Sequence, residues 1–423
     1  MLTMSVARRL TEREIYGHYT CTDPLTFLLS PKLFSVTLVS PRNHFLFTPL
    51  LPSTAVGTLE FRAIQEPVRT IPNLSYYQAT VESIDIKSES LSCIDAFHTG
   101  HLFNLKYDAL ILAVGCETAT FNVPGVIDND RVFFLKQLKD ARNIRNRLID
   151  CFERASSPAC TAEEKKRLLT FVVVGGGPTS VEFASELYDF LTKDVSRWYP
   201  DLHKDVHIHL VEASGHILGT FHSKLVSYVE RLFQKRQIHL MTSTAVAKVD
   251  GSEVIFADGT KLQFGLMVWS TGIKQLAMVQ NIQELAKFPN GRLKVDGHLR
   301  ALAATATTTA TTSSDSVTTL PHSRVFSMGD CAGNYEKPLP GLAQVASQQG
   351  KYLSEALNKY GLDRVWNAKT SSTGKKSDPE VFKYGHLGAM ASVGEWKGVY
   401  DSTNVSLTST MDASGPPVTG FGK

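Results

Sequence analysis

A chain of 423 residues is long enough for two or three domains, each burying a core of its own. A hydrophobic fraction of 43% with 20% charged residues excludes a disordered or low-complexity chain as a whole. The net charge of +3 is too small to argue for nucleic acid as a partner.

The six cysteines (21, 93, 116, 151, 160 and 331) include no CxxC pair and no metal-ligand spacing, so they read as reduced thiols in a reducing compartment. No stretch approaches the ~18 consecutive apolar residues of a membrane span. Any membrane contact is therefore expected to be peripheral. Arg8, Arg9 and Arg13 hint at a targeting segment, but Glu12 and Glu14 interrupt that pattern.

Residues 1–33 are hard to read and stand apart as an atypical N-terminal segment. Residues 34–39 (FSVTLV) read as a strand, and 40–61, rich in proline and aromatics, as a long loop of the kind that carries function. Strands are expected at 81–86 and 91–96, and a buried one at 107–114 (YDALILAV) ending on Gly115. Pro124 and Gly125 break the chain before a helix from about 135 to 153.

The next stretch, 171–191 (FVVVGGGPTSVEFASELYDFL), carries the clearest chemistry. Four apolar residues predict a buried strand, Gly175, Gly176 and Gly177 a sharp turn, and Val181, Ala184, Leu187 and Leu191 a helix. Strand, glycine turn and helix in that order place a pyrophosphate on a helix N-terminus. Gly175 permits the tight turn and Gly177 a close approach of backbone to phosphate, while Pro178 suits a first helical turn. Thr179 follows, and Ser180 stands where the pattern has its third glycine, small enough for the helix to pack on the strand. A second strand, 206–211, ends at Glu212, whose carboxylate suits the adenosine ribose hydroxyls and repels a 2′-phosphate. NAD is thus favoured over NADP. The spacing exceeds the usual ~20 residues, which assigns 193–205 to an inserted loop. The alternative for Glu212 is a plain surface charge at a strand end.

Beyond it, 222–236 is an amphipathic helix, and 246–249 with 253–256 a hairpin joined by Asp250-Gly251. Residues 266–270 form a buried strand ending in Thr271-Gly272. Residues 301–320, almost pure Ala, Thr and Ser, are a low-complexity insertion. A strand at 325–328 runs into Gly329-Asp330, 342–359 is helical, 366–380 is a polar linker, and 382–400 has strand character.

Two parts of the chain repeat one plan: strand, paired-strand region, strand ending in glycine. The first unit (34–39, 80–97, up to Gly115) lacks the glycine turn that should precede Ser40 by about thirty residues. Half of one dinucleotide fold is thus missing from the sequence. The expected class is α/β, with two Rossmann-like dinucleotide-binding domains. Asp330 then points at the ribitol or pyrophosphate of a second dinucleotide; alone, Gly329-Asp330 reads equally as a strand-end turn.

The segments 40–69, 172–187 (VVVGGGPTSVEFASEL), 325–334 (VFSMGDCAGN), 339–353 (LPGLAQVASQQGKYL) and 382–394 (FKYGHLGAMASVG) resemble the type II, rotenone-insensitive NADH:ubiquinone oxidoreductases, respiratory-chain flavoproteins related to the pyridine nucleotide-disulphide oxidoreductases. The resemblance implies an FAD domain over 34–135 and 273–360, an NAD domain inserted at 136–272, and a shortened membrane and quinone-side segment at 361–423. It implies that Ser40, Pro41 and Arg42 lie near the FAD adenosine, Val81 contacts adenine through its backbone, and Thr48, Pro49 and Leu50 approach the flavin. Gly115 and Gly329 would border the cofactor, Asp330 would hold the ribitol, and Gly272 would line the NAD side. Ala343, Gln344 and Gln348 match a segment beside flavin and quinone, Lys383 a lysine near the same pocket, and Glu182 a glutamate facing the nicotinamide. Gln344 and Gln348 read otherwise as a solvated helix face, and Glu182 as a first-turn partner of the helix dipole.

The cofactors implied are FAD and NADH; the partners are ubiquinone, a peripheral membrane surface and a second copy in a homodimer. The place implied is the mitochondrial inner membrane. Hydride transfer between two held rings asks mainly for positioning. Quinone reduction asks for donors, a role for Gln344, Gln348 and Lys383. Two departures stand out: the absent first glycine turn, and an end at Thr419-Gly420-Phe421-Gly422-Lys423, where the family continues into amphipathic helices. They keep open an NADH-binding remnant without FAD. A sulfide:quinone oxidoreductase is the third reading, with Cys116 and Cys331 as its thiols.

Overall fold

A computed structural model of the chain describes the backbone of 2–7 and the residues 28–98, 100–304, 324–368, 379–395 and 397–402. Most of the expected insertion (305–320), most of the polar linker and the residues from 403 onward lie outside these. Two compact units emerge. One comprises Met1–Phe45, Glu66–Glu117 and Lys274–His386, the other Leu46–Gln65, Thr118–Ile273 and Leu387–Lys423. These bounds differ from the expected division at 135 and 272. The physical reason is a shared core: Leu51, Ala55 and Val56 bury with Leu138, Ala141 and Val181, as do Ala391, Val393 and Val399.

The first unit is built on a seven-stranded sheet. Strand Ser35–Ser40 runs parallel to Leu74–Asp85, and Ala109–Ala113 runs parallel to Val325–Ser327. Leu74–Asp85, Ser90–Asp95 and Leu102–Lys106 form an antiparallel excursion from it. Leu102–Lys106 escapes the sequence reading because its side chains alternate only weakly between exposed and half-buried. Strand Ala109–Ala113 is covered on both faces, as a parallel strand must be. Leu110 and Leu112 pack with Val39, Leu293 and Val325, while Ile111 packs with Phe326, Leu353 and Trp366.

The slot of the missing first strand is filled by residues from the hard-to-read stretch 1–33. Leu2–Ala7 lies between Ser35–Ser40 and Ala109–Ala113 and pairs antiparallel with both. Its register pairs Leu2 with Ala113 and Ala7 with Ser35, so the chain leaves this strand at the end of the sheet away from Ser40 and Gly115. A parallel first strand leaves at the other end, where the pyrophosphate turn belongs. Among the described residues, no glycine turn joins this strand to a helix at that end.

The second unit carries a five-stranded parallel sheet in the order Val132–Phe134, Leu266–Trp269, Thr170–Val174, His207–Val211, His239–Met241. An antiparallel three-stranded excursion, Val246–Asp250, Glu253–Phe256 and Lys261–Gln263, repeats the plan of the first unit. The helix expected from 135 runs instead over Leu138–Ser156. Gln137 and Asp140 close a reciprocal cap in which the Asp140 carboxylate accepts from the Gln137 N–H at 2.7 Å.

Three other expectations are corrected. Residues 193–205 are no simple loop: helix Pro178–Phe190 continues through a π-type turn at Leu191–Val195, because Leu191, Val195 and Leu202 keep a buried stripe among polar neighbours. The long loop after Ser40 contains helix Leu51–Val56, with Pro52 in its first turn and Gly57 ending it at φ +84. The region 382–400 is strand only at Ala389–Ser392 and Gly398–Asp401, which pair with each other.

Candidate functional site

In the second unit the glycine turn follows from sterics. All five residues of strand Thr170–Val174 are buried, and the chain then bends at Gly175 with φ +119. A Cβ there would sit 2.9 Å from both the Ser270 carbonyl oxygen and the Ser180 Oγ. A Cβ on Gly176 would sit 2.7 Å from Glu212 Cγ. Gly177, the residue before the helix, faces open space, and Pro178 and Thr179 open the helix beyond it. The bare backbone and the unshared N–H groups of this helix start are what an anionic pyrophosphate needs.

Ser180 is fully buried, and its hydroxyl shares a 2.7 Å hydrogen bond with Ser270 at the end of the neighbouring strand. A serine serves here because it has a partner. Glu212 follows strand His207–Val211, and its Oε1 accepts from the Ser214 N–H at 2.7 Å. That bond fixes the carboxylate beside the turn. Gly272, at φ +66, would bring a Cβ within 2.5 Å of Phe121 Cζ. Gly175, Glu212 and Gly272 thus gather at the carboxyl ends of the parallel strands, the usual binding edge of such a sheet.

Glu182 and Glu186 lie one turn apart on the helix that follows. Glu182 Oε1 accepts from the Ser392 N–H at 3.2 Å, and Glu186 Oε2 accepts from Thr58 Oγ at 3.1 Å. Burial, then the Glu186 charge, push the Glu182 carboxyl up to about 7 against the pull of the Ser392 N–H. Burial also raises Glu186. Thr48, Pro49 and Leu50 form one exposed 3-10 turn, tied down where Thr54 Oγ donates to the Leu50 carbonyl at 2.8 Å.

In the first unit, Ser40 ends its strand almost fully buried. Its hydroxyl accepts from the Arg42 N–H at 3.1 Å, and Gln78 donates to the Pro41 carbonyl at 3.3 Å. The Ser40–Arg42 turn is therefore anchored to strand Leu74–Asp85, where Val81 is buried opposite Cys93 just before a bulge. Gly115 follows Ala109–Ala113 at φ +66 with open space where a Cβ would be.

Gly329–Cys331 make a single 3-10 turn after strand Val325–Ser327. Cys116 donates its S–H to Asp330 Oδ2 at 3.2 Å, which brings the Gly115 segment and Asp330 together. Gln275 Nε2 donates to the Asp330 carbonyl at 3.1 Å, and the Gly329 N–H donates to Gln349 Oε1 at 2.8 Å. Sequence reasoning names neither glutamine. The doubled Gln348-Gln349 is the one available signal, and nothing local marks Gln275.

Ala343 and Gln344 open helix Ala343–Tyr360. Gln348 spends its amide on Gly385, donating to that residue's carbonyl at 2.8 Å and accepting from its N–H at 2.9 Å. Lys383, exposed on the same segment, faces Glu380 at 3.6 Å.

The residues present fit both cofactor types on chemical grounds. The second unit offers a bare helix start and a fixed carboxylate for ribose hydroxyls. The first offers bare backbone at Gly115, the Asp330 carboxylate, and a Gln275 Oε1 that is buried without a hydrogen-bond partner among the described residues. Hydroxyls of a polyol suit those acceptors.

Comparison with known proteins now gives these sites a lineage. Residues 26–350 match the family model described as pyridine nucleotide-disulphide oxidoreductase. A "Probable NADH dehydrogenase" of Dictyostelium discoideum is 42% identical over 379 residues, covering 89% of this chain and 77% of that protein. An "Internal alternative NAD(P)H-ubiquinone oxidoreductase A1, mitochondrial" of Solanum tuberosum is 36% identical over 410 residues, covering 93% and 76%. The solved structure of NDH2 from Plasmodium falciparum in complex with NADH superposes with a TM-score of 0.78 at 26% identity, over 89% of this chain and 87% of that one. With its two-unit α/β fold and the glycine turn before Glu182, the chain belongs to the pyridine nucleotide-disulphide oxidoreductases and, among them, to the type II NADH dehydrogenases.

Proposed function

We propose that this chain is a flavoprotein that oxidises NADH and reduces ubiquinone without pumping protons. The observation that carries the reading is that one chain holds two differently built sets of residues suited to a dinucleotide, one at Gly175–Ser180 with Glu212 and one at Gly115 with Asp330. FAD, when bound, supplies the two-electron chemistry between nicotinamide and quinone.

The chain's own residues bind, orient and carry protons. Gly175, Gly177, Pro178, Thr179, Ser180 and Gly272 would hold the NADH pyrophosphate, and Glu212 the adenosine ribose. Ser40, Pro41, Arg42 and Val81 would border the FAD adenosine, and Gly115, Gly329 and Asp330 its pyrophosphate and ribitol. Glu182 holds or releases a proton near pH 7, as a group delivering protons at physiological pH must. Gln344 and Lys383 are the donors on the quinone side. Gln348 acts one step removed, ordering the segment that carries Lys383 through its paired bonds to Gly385.

Thiol chemistry on sulfide finds no support at Cys331. Cys331 is fully buried, and burial raises its thiol, which disfavours the nucleophilic thiolate. We place the enzyme on the surface of the mitochondrial inner membrane. No helix among the described residues is long and apolar enough to cross a membrane. Leu387 and Met390, 69% and 63% exposed, offer an apolar edge for such contact.

The test is steady-state NADH oxidation by the purified full chain supplied with FAD. The proposal expects oxidation that depends on a soluble ubiquinone analogue. NADH binding with no quinone-dependent turnover at any FAD concentration would leave an NADH-binding remnant and refute it.

A further inference from the structure

The Asp330 turn is held from behind by a residue with no assigned role. Gly329 adopts φ +71, so the turn departs from its strand in a left-handed conformation. Its N–H donates to the Gln349 side-chain oxygen at 2.8 Å. Gln349 sits in the second turn of helix Ala343–Tyr360 and is 4% exposed, so its side chain is confined by packing. On the other side of the turn, the buried Gln275 grips the Asp330 carbonyl at 3.1 Å. Cys116 contacts the Asp330 carboxylate itself at 3.2 Å.

We propose that Gln349 is a positioning residue for the flavin cofactor: by fixing the Gly329 N–H, it sets the direction in which the Asp330 carboxylate meets the ribitol hydroxyls. This rests on the reading of Asp330 as a ribitol ligand. The physical case is one of chemical fit. The position needs an acceptor to satisfy a half-buried N–H and a side chain long enough to reach from the helix to the turn. It must also be neutral, because a second carboxylate beside Asp330 would repel it. Glutamine meets all three demands. Methionine matches its length and supplies no comparable acceptor; asparagine supplies one but is a methylene too short.

The role is tested by FAD titration of the full chain, followed by flavin fluorescence, in a cycle of Gln349→Met, Asp330→Ala and the double variant. Removing the acceptor should weaken FAD binding by up to about tenfold, because the turn freed of this one hydrogen bond must be re-ordered when Asp330 meets the cofactor. The double variant should bind no more weakly than Asp330→Ala alone, because Gln349 acts through Asp330. NADH affinity, read on the second unit, should stay within about twofold of the parent. Should Gln349→Met fail to fold, Gln349→Asn carries the same expectation. Unchanged FAD affinity in the Gln349 variant, or losses that simply add in the double variant, overturns the inference. Unchanged FAD affinity in Asp330→Ala overturns the ribitol reading on which it rests, a separately visible result.

Discussion

Glu182→Gln isolates a single proton and lets its cost be measured. Burial, with Glu186 one helical turn away, raises the Glu182 carboxyl from an ordinary 4.5 to about 7. Between those values the folded chain keeps a proton that the unfolded chain has released. Stability conferred by that proton is complete below pH 4.5, declines as pH rises through the window, and levels off above about 7. At 1.36 kcal/mol per pH unit, the difference between 4.5 and about 7 amounts to about 3 kcal/mol, an upper figure for a side chain that solvent partly reaches. Glutamine has the same shape, stays neutral, and keeps an oxygen to accept the Ser392 N–H.

The variant should therefore match the parent at about pH 4.5 and outlast it at about pH 8. For a unit of this size the gain corresponds to a thermal midpoint higher by roughly 5–10 °C. The assay is thermal unfolding of both proteins across pH. A midpoint difference that does not change with pH would show the carboxyl to be well solvated and the argument wrong.

Other predictions follow from close approaches around the nucleotide turn. Gly272→Ala forces a Cβ to within 2.5 Å of Phe121 Cζ at φ +66 and should cost roughly 1–3 kcal/mol, seen as a lowered melting temperature. An unchanged melting temperature would mean that Phe121 swings clear. Gly176→Ala pushes on Glu212 Cγ, 2.7 Å away, and should weaken NADH binding with little loss of stability, because a glutamate side chain can rotate aside. Glu212→Gln should raise the ratio of NADPH to NADH efficiency by roughly tenfold, since the repulsion of a 2′-phosphate is lost. An unaltered ratio would reduce Glu212 to a surface charge.

The parts of the fold most legible in the sequence are those governed by short-range sterics. The apolar run 171–174, the three glycines and Pro178 dictate strand, turn and helix within a residue of where they lie. Helix Ser223–Lys235 is equally plain, because its apolar residues recur on one face. Less legible are elements whose partners are distant in the chain. Leu2–Ala7 alternates Leu2, Met4 and Val6 with Thr3 and Ser5, but the run is short and a charged stretch follows it. Its place in the sheet comes from pairing on both edges, with Val39 and Ala113 among its partners.

The site divides along the same line. Gly175, Glu212 and Asp330 announce themselves by residue type at the end of a strand. Gln349 and Gln275 act through single hydrogen bonds to a turn that lies 20 and 55 residues away, a relation that spacing does not encode. Gln348 illustrates the converse, since the side chain expected to face quinone is occupied by the Gly385 backbone.

The central claim, that NADH and a quinone exchange electrons through a flavin held by this chain, is tested most directly by anaerobic titration of the FAD-loaded protein. Adding NADH should bleach the flavin absorbance, and adding a ubiquinone analogue should restore it. A bound flavin that keeps its colour through excess NADH would contradict the account.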